Sequence, residues 1–277
     1  MRSVLLTGFI LVILSACYTN GLTLNDLYPY GTENGDTMRT GANNLPRVSI
    51  QPPIDNFIRF GPAGLTVARY QVYHRGFLAI IGVNANNYIY LNLLYISSVD
   101  FSNTKIYGRT TTDPGLINRA MNQINEGFPN TFCSTSPPTQ LIIGTWIDYG
   151  KDNSNSGSNF QVIIVTNGSN TFGIALYVNV HLTSVEDTGI ESDISDDYDS
   201  ADPSFFPFGT TVMNAPTMML NSNIPGTYIF SLNHVSPVPC IEPSPPDCSA
   251  ICKAKLLKMT CEVMKINGKA LPAPCNN

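Results

Sequence analysis

The stretch FQVIIVTNGSNTFGIALYV, Phe160 to Val178, decides the fold class. Two apolar runs rich in β-branched and aromatic residues flank Thr166-Asn167-Gly168-Ser169-Asn170-Thr171. Asn-Gly between such runs is a strong short-range signal for a β-hairpin, because both residues tolerate positive φ. Asn167-Gly168-Ser169 is also the only N-x-S/T sequon in the chain, which makes Asn167 a candidate glycosylation site at an accessible tip.

The same texture extends upstream. LIIGTWIDYG precedes the polar KDNSNSGSN, and FIRF, LTVARYQVY, GFLAIIGV and NYIYLNLLYISSV follow one another from Phe57 with Gly-Pro or Asn-rich breaks between them. Runs of this length and composition read as antiparallel strands. TTDPGLINRAMNQINEGF, Thr111 to Phe128, departs from the pattern: Asp113 can cap, Pro114 fits the first helical position, and Gly127 can end the helix. Leu116, Ile117, Ala120, Met121, Ile124 and Phe128 then share one stripe of a 3.6-residue period. One amphipathic helix therefore packs on a β-rich body, whose last strand is Thr227 to Leu232 after the Pro225-Gly226 turn. The fold class expected is mainly β: an antiparallel, sandwich-like module with one helix, plus a small disulfide-stabilised C-terminal tail.

Charged residues form 13% of the chain, against about 25% in an average soluble domain. The net charge of -5 gives no reason to expect nucleic acid as a partner. EDTGIESDISDDYDSADP holds eight of the 20 acids and no base, so without it 15 bases face 12 acids and the sign reverses. With little apolar material to bury, it reads as a solvated loop. Asp193, Asp196, Asp197 and Asp199 within it are candidate calcium ligands, in a weak site on the order of 10⁻⁴ to 10⁻³ M because the EF-hand order of ligands and glycine is missing. No other cofactor is expected.

The leader MRSVLLTGFILVILSAC has the charge, apolar run and small residues of a secretory signal, residues 1–17, with a second cleavage option near Gly21. The same LSAC has the form of a bacterial lipobox, which would retain Cys17. No later apolar run reaches the roughly 18 residues of a transmembrane helix. Exported thiols meet an oxidising environment, so Cys133, Cys240, Cys248, Cys252, Cys261 and Cys275 are disulfide candidates. Five of these lie in the last 38 residues, an odd number: either Cys133 bridges to one of them, or a cysteine is left for another chain and the protein is a disulfide-linked oligomer. HVSPVPCIEPSPPDC, with five prolines, is an extended linker. The resulting division is a module over 22–232, a linker over 233–247 and a Cys-rich tail over 248–277, with a short helix in the tail.

Several motifs, in order, resemble the nidogen-type extracellular (NIDO) domain found in nidogen, tectorin and mucin-like proteins. LYPYGTENGDT, Leu27 to Thr37, is similar to its aromatic-Pro-Tyr-Gly turn before Gly-Asp. YQVYHRGFLAI, IYGRTTTDPGLINRAMNQI, TQLIIGTWIDYG with Thr145-Trp146, NFQVIIVTNGSNTFGIALY and NSNIPGTYIFSL resemble its successive strands, helix and final turn. One departure is LNLLYISSVDF, which keeps only Asp100 where the family commonly has Trp-Ala-Asp. The resemblance implies a secreted, non-enzymatic extracellular matrix protein acting in cell-matrix adhesion or matrix assembly, with matrix or cell-surface proteins as partners. The alternative is a soluble secreted calcium- or mineral-binding protein using residues 186–202.

Catalytic signatures are missing. His74, His181 and His234 stand far apart in sequence, and no HExxH, G-x-S-x-G, phosphate loop or paired Cys-x-x-Cys occurs. Trp146, the only tryptophan, reads as core. The phenylalanines and tyrosines are spread through the strand-like runs and nominate no aromatic stripe. Tyr28 and Tyr30 are expected to pack the opening turn onto the sheet.

Overall fold

The computed structural model describes residues 21–41, 47–51, 57–60, 64–84, 86–153, 156–193, 209–233, 240, 258–259 and 262–265. The leader, His234, Asp196, Asp197, Asp199, Cys248, Cys252, Cys261 and Cys275 lie outside them. The chain divides into two compact units, Met1–Cys240 and Ile241–Asn277. In the second, residues 258–259 and 262–265 are helical.

The first unit carries twelve strands and one α-helix among its described residues. In chain order these are β1 (Thr37–Thr40), β2 (Arg47–Ile50), β3 (Phe57–Ile58), β4 (Leu65–Tyr73), β5 (Phe77–Gly82), β6 (Tyr88–Tyr95) and β7 (Lys105–Thr111). Then come α1 (Pro114–Gly127), β8 (Gln140–Tyr149), β9 (Ser158–Thr166), β10 (Thr171–Asn179), β11 (Asp187–Ser192) and β12 (Thr227–Ser231). The first sheet runs β1-β7-β8-β9-β10-β12; the second runs β11-β6-β5-β4-β2, with β3 added to β4. All these strand pairs are antiparallel, as the short connections and hairpin signals require. The expected mainly β fold with one helix is the fold observed.

Two cores explain two kinds of strand sequence. Between the sheets, Val48, Tyr70, Val72, Leu78, Ile80, Ile89 and Leu91 meet Ile142, Trp146, Phe160, Val162, Ile164 and Tyr177. On the far side of the first sheet, Leu141, Ile143, Ile163, Val165, Phe172, Ile174 and Leu176 are buried with Ala120 and Ile124 of α1 and with Leu27 and Tyr28. The first sheet is thus covered on both faces, which is why LII and VIIV run apolar without alternation. In the second sheet β2 alternates exposed and buried side chains, while β4, β5 and β6 also bury residues of the outer face, among them Gln71, Ala79, Ile81 and Asn92.

One local expectation holds and two change. The β9–β10 hairpin forms where expected, closing at Thr166 and Thr171 around a four-residue loop. Only Gly168 has positive φ; the Asn167 side chain instead accepts the Ser169 and Asn170 N–H groups at 3.1 and 2.9 Å, the local turn that Asn favours. In α1, Asp113 caps by accepting the Leu116 N–H at 2.9 Å and Pro114 opens the helix, but Gly127 lies inside it and Phe128 is the cap. Gly127 is there for space, since a Cβ would sit 2.3 Å from the Asn221 carbonyl oxygen. The acidic segment is not all loop: Asp187–Ser192 form β11, paired to β6. Ile190 goes into the core at 2% exposure, so one apolar side chain plus a ladder of backbone hydrogen bonds suffices to order an edge strand.

Candidate functional site

The second sheet offers the broadest constellation of functional side chains, on the face turned away from the core. Residues directly opposite each other in an antiparallel pair point to the same side. Arg47 pairs with Tyr73, Tyr73 with Phe77, Phe77 with Asn92, and Asn92 with Gly189, forming one row across five strands. The next row is Ser49, Gln71, Ala79, Tyr90 and Glu191. A third carries Arg69, Ile81 and Tyr88.

The rings in these rows touch. Tyr73 and Phe77 stack with centroids 4.3 Å apart, Tyr88 and Tyr90 stack at 4.3 Å, and Phe77 lies 5.4 Å from Tyr90 and 5.7 Å from Tyr95. The Arg47 guanidinium lies 5.7 Å from the Tyr73 ring centre, and its Nη1 donates to the Tyr73 hydroxyl at 3.0 Å. That hydroxyl donates onward to Gln71 Oε1 at 2.8 Å, and Gln71 Nε2 donates to Ser49 Oγ at 3.2 Å. Asn92 Nδ2 donates to the Asp187 carboxylate at 2.7 Å. Beneath the ladder, Trp146 is fully buried as expected, and its Nε1–H donates to the Tyr73 carbonyl at 2.7 Å. Core packing and the outer ladder therefore hold the same strand.

The face is charged at its two ends. Arg47 and Arg69 stand on β2 and β4, while Asp187 and Glu191 lie on β11 with Asp193 just beyond it. Burial, and then the nearby Glu191 and Asp193 carboxylates, push the Tyr88 hydroxyl above its ordinary range. Tyr90 is raised by the same burial, with Tyr73, Tyr88 and those two acids adding to it. Both therefore stay protonated, available as donors at neutral pH. Tyr73, Phe77, Tyr88, Tyr90 and Tyr95 all keep partial exposure.

This stripe corrects the expectation that the aromatics form none. The usable signal was the i, i+2 spacing Tyr88-Tyr90-Asn92 and Gln71-Tyr73, set against a short YHRGF turn that places Tyr73 opposite Phe77. The missing information was strand order: β11, from far along the chain, closes the edge next to β6.

The sites expected from sequence fall elsewhere. Cys133 and Cys240 form a disulfide across 5.8 Å between Cα atoms, and Cys240 N–H donates to the Asn130 carbonyl at 2.6 Å. With that bridge made, Cys248, Cys252, Cys261 and Cys275 are an even set. Asn167 is part-exposed at the hairpin tip, with Nδ2 donating to Ser136 Oγ at 3.0 Å. Asp193 Oδ1 accepts the Tyr88 N–H at 3.0 Å, which ties this acid to β6. Among the described residues no group of three or more His, Cys, Asp or Glu could hold a metal. His74 sets its ring edge-on to Phe101 at 4.7 Å, and the His181 N–H donates to Ser158 Oγ at 2.9 Å.

The opening turn is structural. Gln161 grips Tyr28 like a strand partner, accepting its N–H at 2.7 Å and donating to its carbonyl at 3.0 Å. The Arg119 guanidinium lies 4.0 Å over the Tyr28 ring. Tyr30 tilts against Tyr107 at 5.5 Å. Asp36 closes the turn by accepting the Gly31 N–H at 2.7 Å and pairs with Arg109 at 2.9 Å, with both side chains buried. Burial outweighs Arg109 and raises the Asp36 carboxyl above its ordinary value.

The matched region has a family. The profile of the nidogen-like domain matches residues 93–234, 142 of the 277 residues. The chain belongs to the nidogen-like domain family. The match begins in β6 and ends just past β12, so this nidogen-like chain folds β1 to β5, which lie before it, into the same two sheets. Alpha-tectorin of Mus musculus is 31% identical over 83 residues, 29% of this chain and 4% of that protein. The chain thus spans a small part of the curated relative's length. No solved structure matches it. Membership of this family points to an extracellular matrix-type protein. Among the described residues no helix is long and apolar enough to cross a membrane.

Proposed function

We propose that this protein is a secreted matrix component that mediates cell-matrix adhesion or matrix assembly by surface contact, without catalysis. The observation that carries the reading is the five-ring ladder on the outer face of the second sheet, in a chain of the nidogen-like family. Tyrosine and arginine are the side chains most used at protein interfaces, because they offer large rigid area with a polar handle. The partners are matrix or cell-surface proteins, with the leader directing export and Asn167 carrying a glycan at the hairpin tip.

The test is retention of the purified full chain on insoluble matrix from the source tissue. Wild type stays bound through washes, and Tyr90→Ser is released while keeping its thermal transition. Equal retention of both, or none of either, overturns the reading.

A second reading has one observation in its favour, the anchoring of Asp193 by the Tyr88 N–H at the start of the acidic run. It is a soluble calcium or mineral binder through Asp193, Asp196, Asp197 and Asp199. Calcium titration by calorimetry should then give heat that vanishes when these four become Asn; heat unchanged by the substitutions removes it.

A further inference from the structure

The charges on the ladder face are arranged antisymmetrically about its middle strand. In the order β11-β6-β5-β4-β2, β5 is central, with acids at the β11 side and Arg47 and Arg69 at the β4–β2 side. We propose that this face docks on the same face of a second copy of the chain, about a two-fold axis lying along β5 between the two sheets. The proposal rests on the contact-surface reading above and names its partner.

Rotation about that axis exchanges β2 with β11 and β4 with β6. Arg47 of each copy then falls over the position of Gly189, where the lack of a side chain leaves room, between Asp187 and Glu191. Tyr73 falls over the Asn92 position, Tyr90 over the Gln71 position and Phe77 over its own equivalent; Gln71 and Asn92 are themselves only 2% and 4% exposed, so the rings make the contact. A two-fold interface needs this self-complementarity, each basic end finding an acidic end twice over. The other two-fold, across the strands, would set like charges together.

Ring geometry favours a protein over a sugar. Tyr73 with Phe77, and Tyr88 with Tyr90, use ring faces on one another at 4.3 Å, so that a sugar ring finds few open faces to stack on. Rings stacked on one another in this way are suited to interdigitation and edge-to-face contact with a further protein surface. Five strands spaced about 4.8 Å apart give a face roughly 20 Å wide, which belongs with small, transient interfaces. Such a contact is weak in solution and gains strength when many copies are held in one matrix.

Sedimentation of the full chain over a range of concentrations tests this. Wild type should show a monomer–dimer equilibrium that weakens with salt. Arg47→Glu should raise the dimer dissociation constant about tenfold or more, and Arg47→Glu with Glu191→Arg in the same chain should restore it, a rescue that misfolding cannot imitate. A wild type still monomeric at about 1 mM, or charge reversal without effect, overturns the proposal. If that monomer remains on matrix in a Tyr90-dependent way, adhesion stands and only self-docking falls; if it is not retained, both fall. A monomer that binds a glycan array, and loses this with Tyr90→Ser, overturns self-docking in favour of sugar recognition.

Discussion

The two sheets of this sandwich are built from similar residues put to different use. The first is buried on both faces, by the second sheet on one side and by α1 with the opening turn on the other. The second gives one face to the shared core and turns Tyr73, Phe77, Tyr88, Tyr90 and Tyr95 outward. The same aromatic types are thus packing material in one sheet, where Trp146, Phe160 and Tyr177 are fully buried, and contact surface in the other. Covering decides the role of a side chain, and composition alone does not reveal it.

Breaking the shared core should have the largest effect. Trp146 stacks on Phe160 at 4.8 Å, and Trp146→Ala leaves a cavity between the sheets while freeing the Tyr73 carbonyl it bonds. The expected loss is about 3–5 kcal/mol, read as a fall in the denaturant midpoint. A loss below about 1 kcal/mol would mean the sheets do not share one core.

On the first sheet's cover, Asp36→Ala leaves Arg109 buried without its carboxylate. Removing one member of a buried pair costs about 3–5 kcal/mol, whereas Asp36→Ala with Arg109→Met should recover most of it, since an apolar pair needs no compensation. If the double variant is no better than the single, the opening turn depends on the charge itself and not on filling the space.

Substitution on the free face of the second sheet should separate stability from contact. Tyr90→Ser is expected to change stability by about 1 kcal/mol, because the ring keeps partial exposure, yet to abolish matrix retention. A stability loss comparable to that of Trp146→Ala would place the ladder among the packing elements and erase the contrast between the sheets.

How much of this the sequence disclosed follows the same division. The helix was legible because Asp113, Pro114 and the apolar stripe act locally, and the β9–β10 hairpin because Thr166 to Thr171 form a local turn. The Cys133–Cys240 bridge was one of two outcomes left by the odd number of cysteines from Cys240 onward. The ladder was hidden because it needs the register of four neighbours in one sheet, and β11 because only Ile190 in a stretch of acids announces a buried face. β1 and β2, four residues each, are held by pairing with β7 and β4 more than by any pattern of their own.

The smallest effect concerns pH and sets the opening turn on the first sheet beside the edge strand of the second. Asp26, in the turn before Tyr28, accepts the Thr23 hydroxyl and N–H, and these bonds hold its carboxyl below the ordinary 3.8. Glu186, at the start of β11, is held below 4.5 by the hydroxyl and N–H of Ser97 in the same way. A depressed carboxyl stabilises the fold above its unfolded value and loses that contribution as pH falls through the folded one. Asp36 has the opposite sign: raised by burial, its contribution is present below 3.8 and is lost as pH rises through the folded value. Acidification from about pH 5 to about pH 3 should therefore lower the protection of amides around Thr23 and Ser97, the exposed clamps, measured against their intrinsic exchange at each pH, while amides of the turn closed by Asp36 lose no protection through that residue's protonation. Loss of protection around Gly31 and Asp36 first would mean that the ionised pair with Arg109, rather than the neutral packing around it, holds the first sheet's cover in place.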